Sequence, residues 1–319
     1  MHFHRFRAGA STKNLLRRTA PFHGPSKNHG ILGRRSGRTD AEPPRWTGRR
    51  CVPAGLAMHP IAFQFEVAGI PRTIGSYGIL LAIALLVGAF VATRAAARAK
   101  LDWGAAIAVL GFTVAAGGLG ASTLFALVEW GRTGDPLQGI RQPGLVFFGA
   151  PFGGGLAFVW SARRLGLPAL RFVDEAIVAL PLAHAVGRLG CFLGGCCFGA
   201  PHDGWLSVTY THLLAPAAYP PVPRHPAPLY ESVGLLAIGL ALALLPKRAM
   251  GTGQRLFLYM ALYGALRFVV ELFRGDSVRG LYLDGALSTS QLIALWVLAA
   301  GTAGLLLRPS VTRAPSPSG

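Results

Sequence analysis

The chain has 319 residues, of which 52% are hydrophobic and only 14% are charged. Soluble domains carry about 25% charged residues, so this composition excludes an ordinary soluble protein and indicates a membrane protein. The net charge of +18 suggests a nucleic-acid partner, but residues 1–57 alone hold 12 of the 31 Lys and Arg and 2 of the 13 Asp and Glu. Because over half of the excess lies in that one segment, we expect no nucleic-acid partner for the rest of the chain.

The basic segment 1–57 has no sustained apolar period and is predicted to be disordered. It does not have the pattern of a clean signal peptide, because no apolar core follows its charges. Three interpretations stay open: a start codon assigned too far upstream, with Met58 the true start, a disordered tail, or a basic nucleic-acid arm. The first is favoured, because Met58 opens directly into membrane-type sequence. We expect the membrane domain to occupy residues 58–308 and the Pro-Ser tail 309–319 to be disordered.

Long apolar stretches follow one another through the rest of the chain. A spanning helix needs about 20 mostly apolar residues. The stretches that approach this length are Ile74–Thr93, Trp103–Val128, Gly144–Ala162, Ala176–Phe192, Leu229–Leu245, Leu256–Phe273 and Leu287–Leu307. The sequence therefore predicts an all-α polytopic membrane protein with about seven transmembrane helices. The Pro-, Gly-, His- and Tyr-rich connection 195–228 predicts a small external cap between helices four and five.

The loops between these stretches differ in basic charge, and an excess of Lys and Arg marks the cytoplasmic side. The basic residues concentrate after spans one, three, five and seven: Arg94, Arg98, Lys100; Arg163, Arg164, Arg171; Lys247, Arg248, Arg255; and Arg308, Arg313. This alternation predicts that the first helix starts on the outer, periplasmic side and that the C-terminus is cytoplasmic. A +10 tail at the outer end violates the pattern, which again sets residues 1–57 apart.

Three ionisable residues, Arg188, Arg267 and Glu271, lie inside predicted spans, where charge is costly and usually functional. Arg267 and Glu271 are four residues apart and share a helix face. The structural alternative is an ion pair that only joins two helices. With one carboxylate for two guanidinium groups, however, the set has a surplus positive charge that favours an anion. In a membrane that anion is a phospholipid phosphate.

The segment from His184 to Gly199 concentrates further reactive side chains. His184 and Arg188 share a helix face, and Cys191, Cys196 and Cys197 follow within nine residues. These thiols together with His184 are a possible zinc ligand set, but their spacing matches no standard ligand pair. Apolar packing is the favoured interpretation, and we expect no metal and no cofactor.

Two other regions, the start of predicted span five and the start of span one, contain residues with competing interpretations. His225, Tyr230 and Glu231 open predicted span five, where a Pro-rich entry and an acid near a helix N-terminus are ordinary features. Tyr77, near the outer start of span one, is also typical of an interface aromatic.

The same residues, in this order, resemble the prolipoprotein diacylglyceryl transferase family from about residue 61 to residue 307. The segments that carry the resemblance are Ser76-Tyr77-Gly78, Gly187-Arg188-x-Gly190-x-Phe192-x-x-Gly195-x-x-x-Gly199, His225-Pro226-x-x-Leu229-Tyr230-Glu231, Tyr263-Gly264-x-x-Arg267-Phe268-x-x-Glu271-x-x-Arg274 and Leu287-Ser288-x-x-Gln291. The resemblance implies a bacterial inner-membrane enzyme. Such an enzyme moves diacylglyceryl from phosphatidylglycerol to the lipobox cysteine of a prolipoprotein signal peptide, forming a thioether and releasing glycerol phosphate.

On this resemblance, Arg188 and Arg267 bind the phosphate, and Glu271 orients Arg267. Tyr77, His225, Tyr230, Glu231 and Arg274 belong to the substrate-binding set. Either His184 or His225 is the base that activates the acceptor thiol, with His184 favoured.

The chain also departs from the family pattern. Phe148-Gly149-Ala150-Pro151 stands where the family has His-Gly-Gly-Leu, so that histidine is absent. Cys191 and Cys196 replace an Asn and a Glu of the signature, and a family Arg falls near Gly118. The alternatives are therefore a lipid-binding or altered-substrate paralogue of that family and, as a weaker interpretation, a small-solute transporter.

Overall fold

The computed structural model describes residues 59–67, 70–141, 144, 149–212, 214–218, 221–246, 250–275, 281–282 and 287–307. The segment 1–57, Met58, Phe148 and the tail 309–319 lie outside these residues, so the predictions made for them stay predictions. The described part is mostly helical, as the sequence predicted.

The helices are α1 (Ser76–Arg98), α2 (Trp103–Thr133), α3 (Gln138–Arg141), α4 (Gly149–Arg164), α5 (Ala169–Ala176), α6 (Ala179–Gly194), α7 (Ala227–Leu244), α8 (Gln254–Leu272) and α9 (Thr289–Leu307). The strands are β1 (Ile61–Val67), β2 (Ile70–Gly75), β3 (Leu281–Tyr282) and β4 (Leu287–Ser288). β1 pairs with β2 and β3 with β4, both antiparallel. Each short hairpin leads directly into an apolar helix.

Local sequence signals set several helix ends. The Asp102 carboxylate accepts hydrogen bonds from the backbone N–H groups of Gly104 and Ala105 and so caps α2. Gly134 ends the same helix in the left-handed conformation, with φ of 74°. These caps leave the apolar run between them free to form one continuous helix of 31 residues.

Small residues allow close contact between helix pairs. A side chain at Gly120 would meet the backbone of Gly149, and one at Gly153 would meet the backbone of Ala116, so α2 and α4 approach closely. Gly264 of α8 lies in the same way against α9. Close backbone packing of this kind is typical of helices associated in a membrane.

Helices α5 and α6 form a bent pair, with an angle of 54° between them. At the start of α8, the Asp174 carboxylate of α5 accepts hydrogen bonds from the backbone N–H groups of Gly253 and Leu256. The buried Arg255 donates to the carbonyl groups of Asp174 and Leu242. These bonds join α5, α7 and α8 at the end of α8 remote from Arg267 and Glu271.

By length and apolar composition, four of the described helices can cross a membrane: α1, α2, α7 and α9. The bent pair α5 and α6 makes a fifth if it is one span. Large apolar side chains such as Leu86, Phe90 and Trp296 are more than half exposed, as expected at a lipid-facing surface. The other two predicted spans correspond to α4, which has 16 residues, and α8, which carries three ionisable residues. The total of seven spans therefore stays a prediction.

Candidate functional site

The site begins on α6, where His184 and Arg188 lie one turn apart. Arg188 Nε donates a hydrogen bond to His184 Nε2 at 3.2 Å. The Arg188 side chain also lies near Tyr263 of α8. Gly190 packs directly against Tyr77 of α1, so α6 and α1 are in close contact beside the guanidinium group. Tyr77 itself is 42% exposed.

Glu231, the fifth residue of α7, lies between the two predicted arginines. Its Oε1 is 3.0 Å from Arg188 Nη2, and its Oε2 accepts a hydrogen bond from Arg267 Nη1 at 3.1 Å. The Oε1 contact is an ion pair without the alignment of a hydrogen bond. The Glu231 side chain is 2% exposed, so a single buried carboxylate connects α6, α7 and α8.

Glu271 connects the same cluster to α9. It accepts a hydrogen bond from Arg267 Nη2 at 2.5 Å and another from the Ser288 hydroxyl at 3.0 Å. Ser288 and Gln291 form a capping box at the start of α9, because Gln291 Oε1 accepts from the Ser288 N–H and the Ser288 hydroxyl accepts from the Gln291 N–H. The Ser288 hydroxyl thus both caps α9 and donates a hydrogen bond to the Glu271 carboxylate.

The structure corrects the charge count made from the sequence. That count assigned one carboxylate, Glu271, to the two arginines, whereas the structure adds Glu231 as a second. The charges of Arg188 and Arg267 are therefore balanced within the cluster. Arg274 adds a third guanidinium group, whose Nε lies 4.0 Å from Glu271 Oε2. The buried acids align the guanidinium groups of Arg188 and Arg267.

His184 has its Nε2 lone pair directed at a guanidinium group. Protonation at Nε2 would break that hydrogen bond and place a second cation beside Arg188. His184 is thus held as a hydrogen-bond acceptor, which weakens it as a base.

His225 occupies a different environment, just before α7. Its Nδ1 lies 3.1 Å from the Tyr230 hydroxyl, and its ring stacks on His202 with 3.9 Å between centroids. Burial, followed by the neighbouring His202 imidazole, lowers the pKa of His225 from its ordinary value. His225 is therefore mainly neutral near pH 7, which is the form that accepts a proton.

An apolar cleft of about 420 Å³ opens beside His225. Its lining includes His202, Tyr230 and Phe273, and also Leu266 and Val270 of α8. Arg267 and Glu271 follow those two residues on the same helix. The charged cluster and the apolar cleft are therefore neighbours, as the polar and apolar parts of one amphipathic ligand would require.

The structure brings most of the predicted set together. Arg188, Arg267, Glu271, Glu231, His184 and Arg274 share one cluster, and His225 and Tyr230 lie beside it. Sequence reasoning assigned no role to Ser288, although its spacing to Gln291 is that of a capping box. It also missed His202, a single histidine in an irregular connection with no neighbouring signal.

The three cysteines after Arg188 also converge. Their Sγ atoms all lie within 4.8 Å of one another, with Cys191 buried and Cys196 and Cys197 half-buried. Among the residues that the structure describes, no His, Asp or Glu joins this group. His184, which the sequence placed with them as a possible ligand, is directed to Arg188 instead.

Apolar helices, buried ion pairs between them and an adjoining apolar cleft define a helical membrane protein with a buried charged site. Comparison with known proteins identifies the family. The family model described as prolipoprotein diacylglyceryl transferase matches residues 60–307. The chain belongs to that family, and it is a membrane enzyme of the transferase class.

Several proteins named phosphatidylglycerol--prolipoprotein diacylglyceryl transferase are similar to the chain. The one from Symbiobacterium thermophilum is 33% identical over 266 residues, which is 82% of this chain and 95% of that protein. The one designated 2 from Clostridium perfringens is 34% identical over 193 residues, 59% of this chain and 73% of that protein. The one from Clostridium tetani is 28% identical over 248 residues, 76% and 95% of the two chains.

Proposed function

We propose that the chain transfers the diacylglyceryl group of phosphatidylglycerol to the lipobox cysteine thiol of prolipoproteins. The observation that carries the proposal is the pair Arg188 and Arg267, aligned by the buried Glu231 and lying beside an apolar cleft. A guanidinium group offers a phosphate two parallel hydrogen bonds, and a cleft accepts acyl chains. The names of the similar proteins point to the same donor and acceptor.

Charge develops on the leaving glycerol phosphate when the bond to the diacylglyceryl carbon breaks. Arg188 and Arg267 stabilise that charge, and they do so without reorganisation because their carboxylate partners already hold them. Glu271 fixes the position of Arg267, and the Ser288 hydroxyl at the start of α9 in turn holds Glu271. Tyr77, Tyr230 and Arg274 surround the head group.

The acceptor thiol must lose its proton before it attacks. His225 is the better base of the two predicted histidines, because its proton-accepting form is favoured whereas His184 is engaged by Arg188. With the Nδ1–H of His225 donating to the Tyr230 oxygen, Nε2 presents its lone pair. His184 then acts as a positioning residue for Arg188.

The proposed setting is a bacterial inner membrane with α1, α2, α4, the α5–α6 pair, α7, α8 and α9 as seven spans. The first helix starts on the periplasmic side and the C-terminus is cytoplasmic, which places the connection 195–228 outside as a cap. We assign residues 58–308 to the transferase domain and leave 1–57 and 309–319 out of it, as the sequence predicts. The alternating basic loops support this orientation.

The test is complementation of a strain depleted of its own transferase, with lipid attachment to a reporter prolipoprotein as the readout. We expect the wild-type chain to restore lipidation and Arg267→Ala to lower it by about 10²–10³-fold, the loss typical of one transition-state donor. Arg163→Ala, which removes an exposed arginine at the end of α4, is the matched control and should retain activity. Intact transfer by Arg267→Ala would refute the mechanism, and no lipidation by the wild-type chain would refute the function.

A second candidate function is a lipid-binding or altered-substrate paralogue. The observation that favours it is the change at family positions, with Cys191 and Cys196 inside the site region and a Phe in place of the family histidine. Phospholipid that co-purifies with the chain, with no thioether product on any lipobox peptide, would identify this second function.

A further inference from the structure

The three-thiol cluster of Cys191, Cys196 and Cys197 results from the way α6 ends. Gly195 adopts the left-handed conformation, and the N–H of Cys196 bonds back to the Cys191 carbonyl at 3.1 Å. Together with the bond from Gly195 N–H to the Phe192 carbonyl, this is a Schellman turn, which folds the chain back over the last helical turn. The turn therefore places residues five positions apart side by side.

The rest of the cluster is also held in place. Cys197 has a φ of 56°, a left-handed conformation that a non-glycine residue rarely adopts without surrounding support. The Ala217 N–H donates to the Gly195 carbonyl at 3.1 Å and fixes the turn from its other side. Simple apolar packing does not require three thiols to converge from a turn with this backbone.

The separations fit a thiophilic cation. Zinc binds thiolates at about 2.3 Å, so three sulfur atoms on one tetrahedral ion are about 3.8 Å apart. The three Sγ atoms, all within 4.8 Å of one another, reach that arrangement with small side-chain movements. With no other His, Asp or Glu in the group among the described residues, the fourth position stays open, as in catalytic zinc sites.

The charge near the three cysteines is also compatible with a bound zinc ion. Three thiolates and one Zn²⁺ carry a net charge of −1, and Arg188 on the same helix carries a positive charge. A buried anionic centre requires an opposite charge nearby, and the Arg188 guanidinium group supplies one. Cys191 follows Arg188 by three residues on the same helix, so the two centres are about one turn apart.

We propose that Cys191, Cys196 and Cys197 bind Zn²⁺ as a three-thiolate site whose fourth position takes the acceptor thiol of the transfer. This role rests on the proposed function, whereas the metal site itself does not. Each of the three cysteine thiols loses its proton to solvent as its Zn–S bond forms, and the acceptor thiol loses its proton to His225 as it binds the metal. The bound acceptor sulfur attacks the diacylglyceryl carbon, the C–O bond to the phosphate breaks, and the electron pair leaves on glycerol phosphate. Zinc keeps its oxidation state, and the thioether, a weak ligand, dissociates.

The first experiment measures metal on the full-length chain, purified in detergent with a thiol-free reductant. We expect about one zinc per chain by elemental analysis. Substituting Co²⁺ should give thiolate-to-cobalt absorption, and a peptide with a lipobox cysteine should change that spectrum whereas its Ser analogue should not. We expect each of Cys191→Ser, Cys196→Ser and Cys197→Ser to weaken zinc binding by more than about 100-fold. This exceeds the loss that is typical when a residue that only hydrogen-bonds to a metal ligand is replaced. Cys51→Ser is the matched control and should bind normally.

A second measurement does not depend on the variants folding. In the wild-type chain, zinc should protect three thiols from maleimide, and a chelator should expose them. Less than about one zinc per ten chains after loading, unchanged binding by the triple Ser variant, or a disulfide among the three cysteines would overturn the proposal. An unchanged cobalt spectrum with the cysteine peptide would overturn it too.

The proposed transfer activity and the proposed zinc site can be refuted independently of one another. Arg267→Ala should lower transfer by about 10²–10³-fold and keep the zinc, because it leaves all three thiols in place. If the wild-type chain binds zinc and the cysteine peptide but transfers nothing, the proposed function fails and the metal site stands. If the zinc-free triple Ser variant transfers at the wild-type rate, the zinc proposal fails and the function stands.

Discussion

Glu231→Gln tests whether the buried carboxylate holds the site together. The substitution keeps the size of the side chain and removes its charge, and it turns an amide N–H group toward one of the two guanidinium groups. Arg188 and Arg267 would then lose the carboxylate that lies between them, so the cluster gains one unit of positive charge. We expect the folded state to be destabilised and transfer to fall with it.

The magnitude follows from the two contacts at 3.0 and 3.1 Å. At an effective dielectric constant of about 20, each contact is worth about 5 kcal/mol before desolvation. Solvation offsets part of this, and removing one partner of a buried pair costs about 3–5 kcal/mol net. Glu129→Gln is the matched control, because Glu129 pairs with Arg132 at 2.6 Å where the Arg132 side chain is 65% exposed. For this surface pair we expect a loss of about 0.2–1 kcal/mol.

The assay is the free energy of unfolding in mixed micelles, measured by denaturing-detergent titration with circular dichroism. Phosphatidylglycerol added to the micelles should restore more stability to Glu231→Gln than to the wild-type chain, since a lipid phosphate compensates the new surplus. Equal losses of unfolding free energy for Glu231→Gln and Glu129→Gln would show that the buried carboxylate does not hold the arginines. That result would refute the prediction.

Further predictions concern the cap, the base and the helix packing. Ser288→Ala removes a helix cap and a hydrogen bond to a carboxylate, and should lower the unfolding free energy by about 2–4 kcal/mol in the same titration, whereas Thr302→Ala on the same helix should cost under about 1 kcal/mol. If His225 is the base, its lowered pKa keeps it neutral to lower pH, so kcat/KM should fall on the acid side with a midpoint below about 6.5; a midpoint above that would exclude it. Gly264→Leu should separate α8 from α9 and abolish stable folding, seen as aggregation on size-exclusion chromatography, whereas Gly111→Leu, with open space around it, should elute normally.

The charged residues of the site could be predicted from the sequence, because each interrupts an apolar stretch. Arg188, Arg267 and Glu271 stand where a spanning helix should hold apolar side chains, and the four-residue spacing places two of them on one face. Glu231 was harder, because an acid at a helix N-terminus has an ordinary explanation. Its contacts join residues 36 positions apart, and helical periodicity contains no information about partners on other helices.

Other features depend on geometry that no spacing rule specifies. Cys191 and Cys196 match no ligand-pair spacing, yet a Schellman turn brings their sulfur atoms together. The choice between His184 and His225 depended on which hydrogen bond each ring makes. The number of spans was read from apolar length alone, and that measure is weakest for α4 and α8, where length and charge depart from the ordinary pattern.

The cluster that joins α6, α7, α8 and α9 also has a consequence for biogenesis. The chain is synthesised from its N-terminus, so Arg188 leaves the ribosome before Glu231, and Arg267 before Ser288. A guanidinium group alone at the centre of a membrane helix costs about 2.5–3.5 kcal/mol on insertion scales. Helix α6 therefore gains its full stability in the lipid only when α7 arrives, and Glu271 is fully bound only once α9 is in place. Assembly of the active cluster and completion of membrane insertion are thus one event.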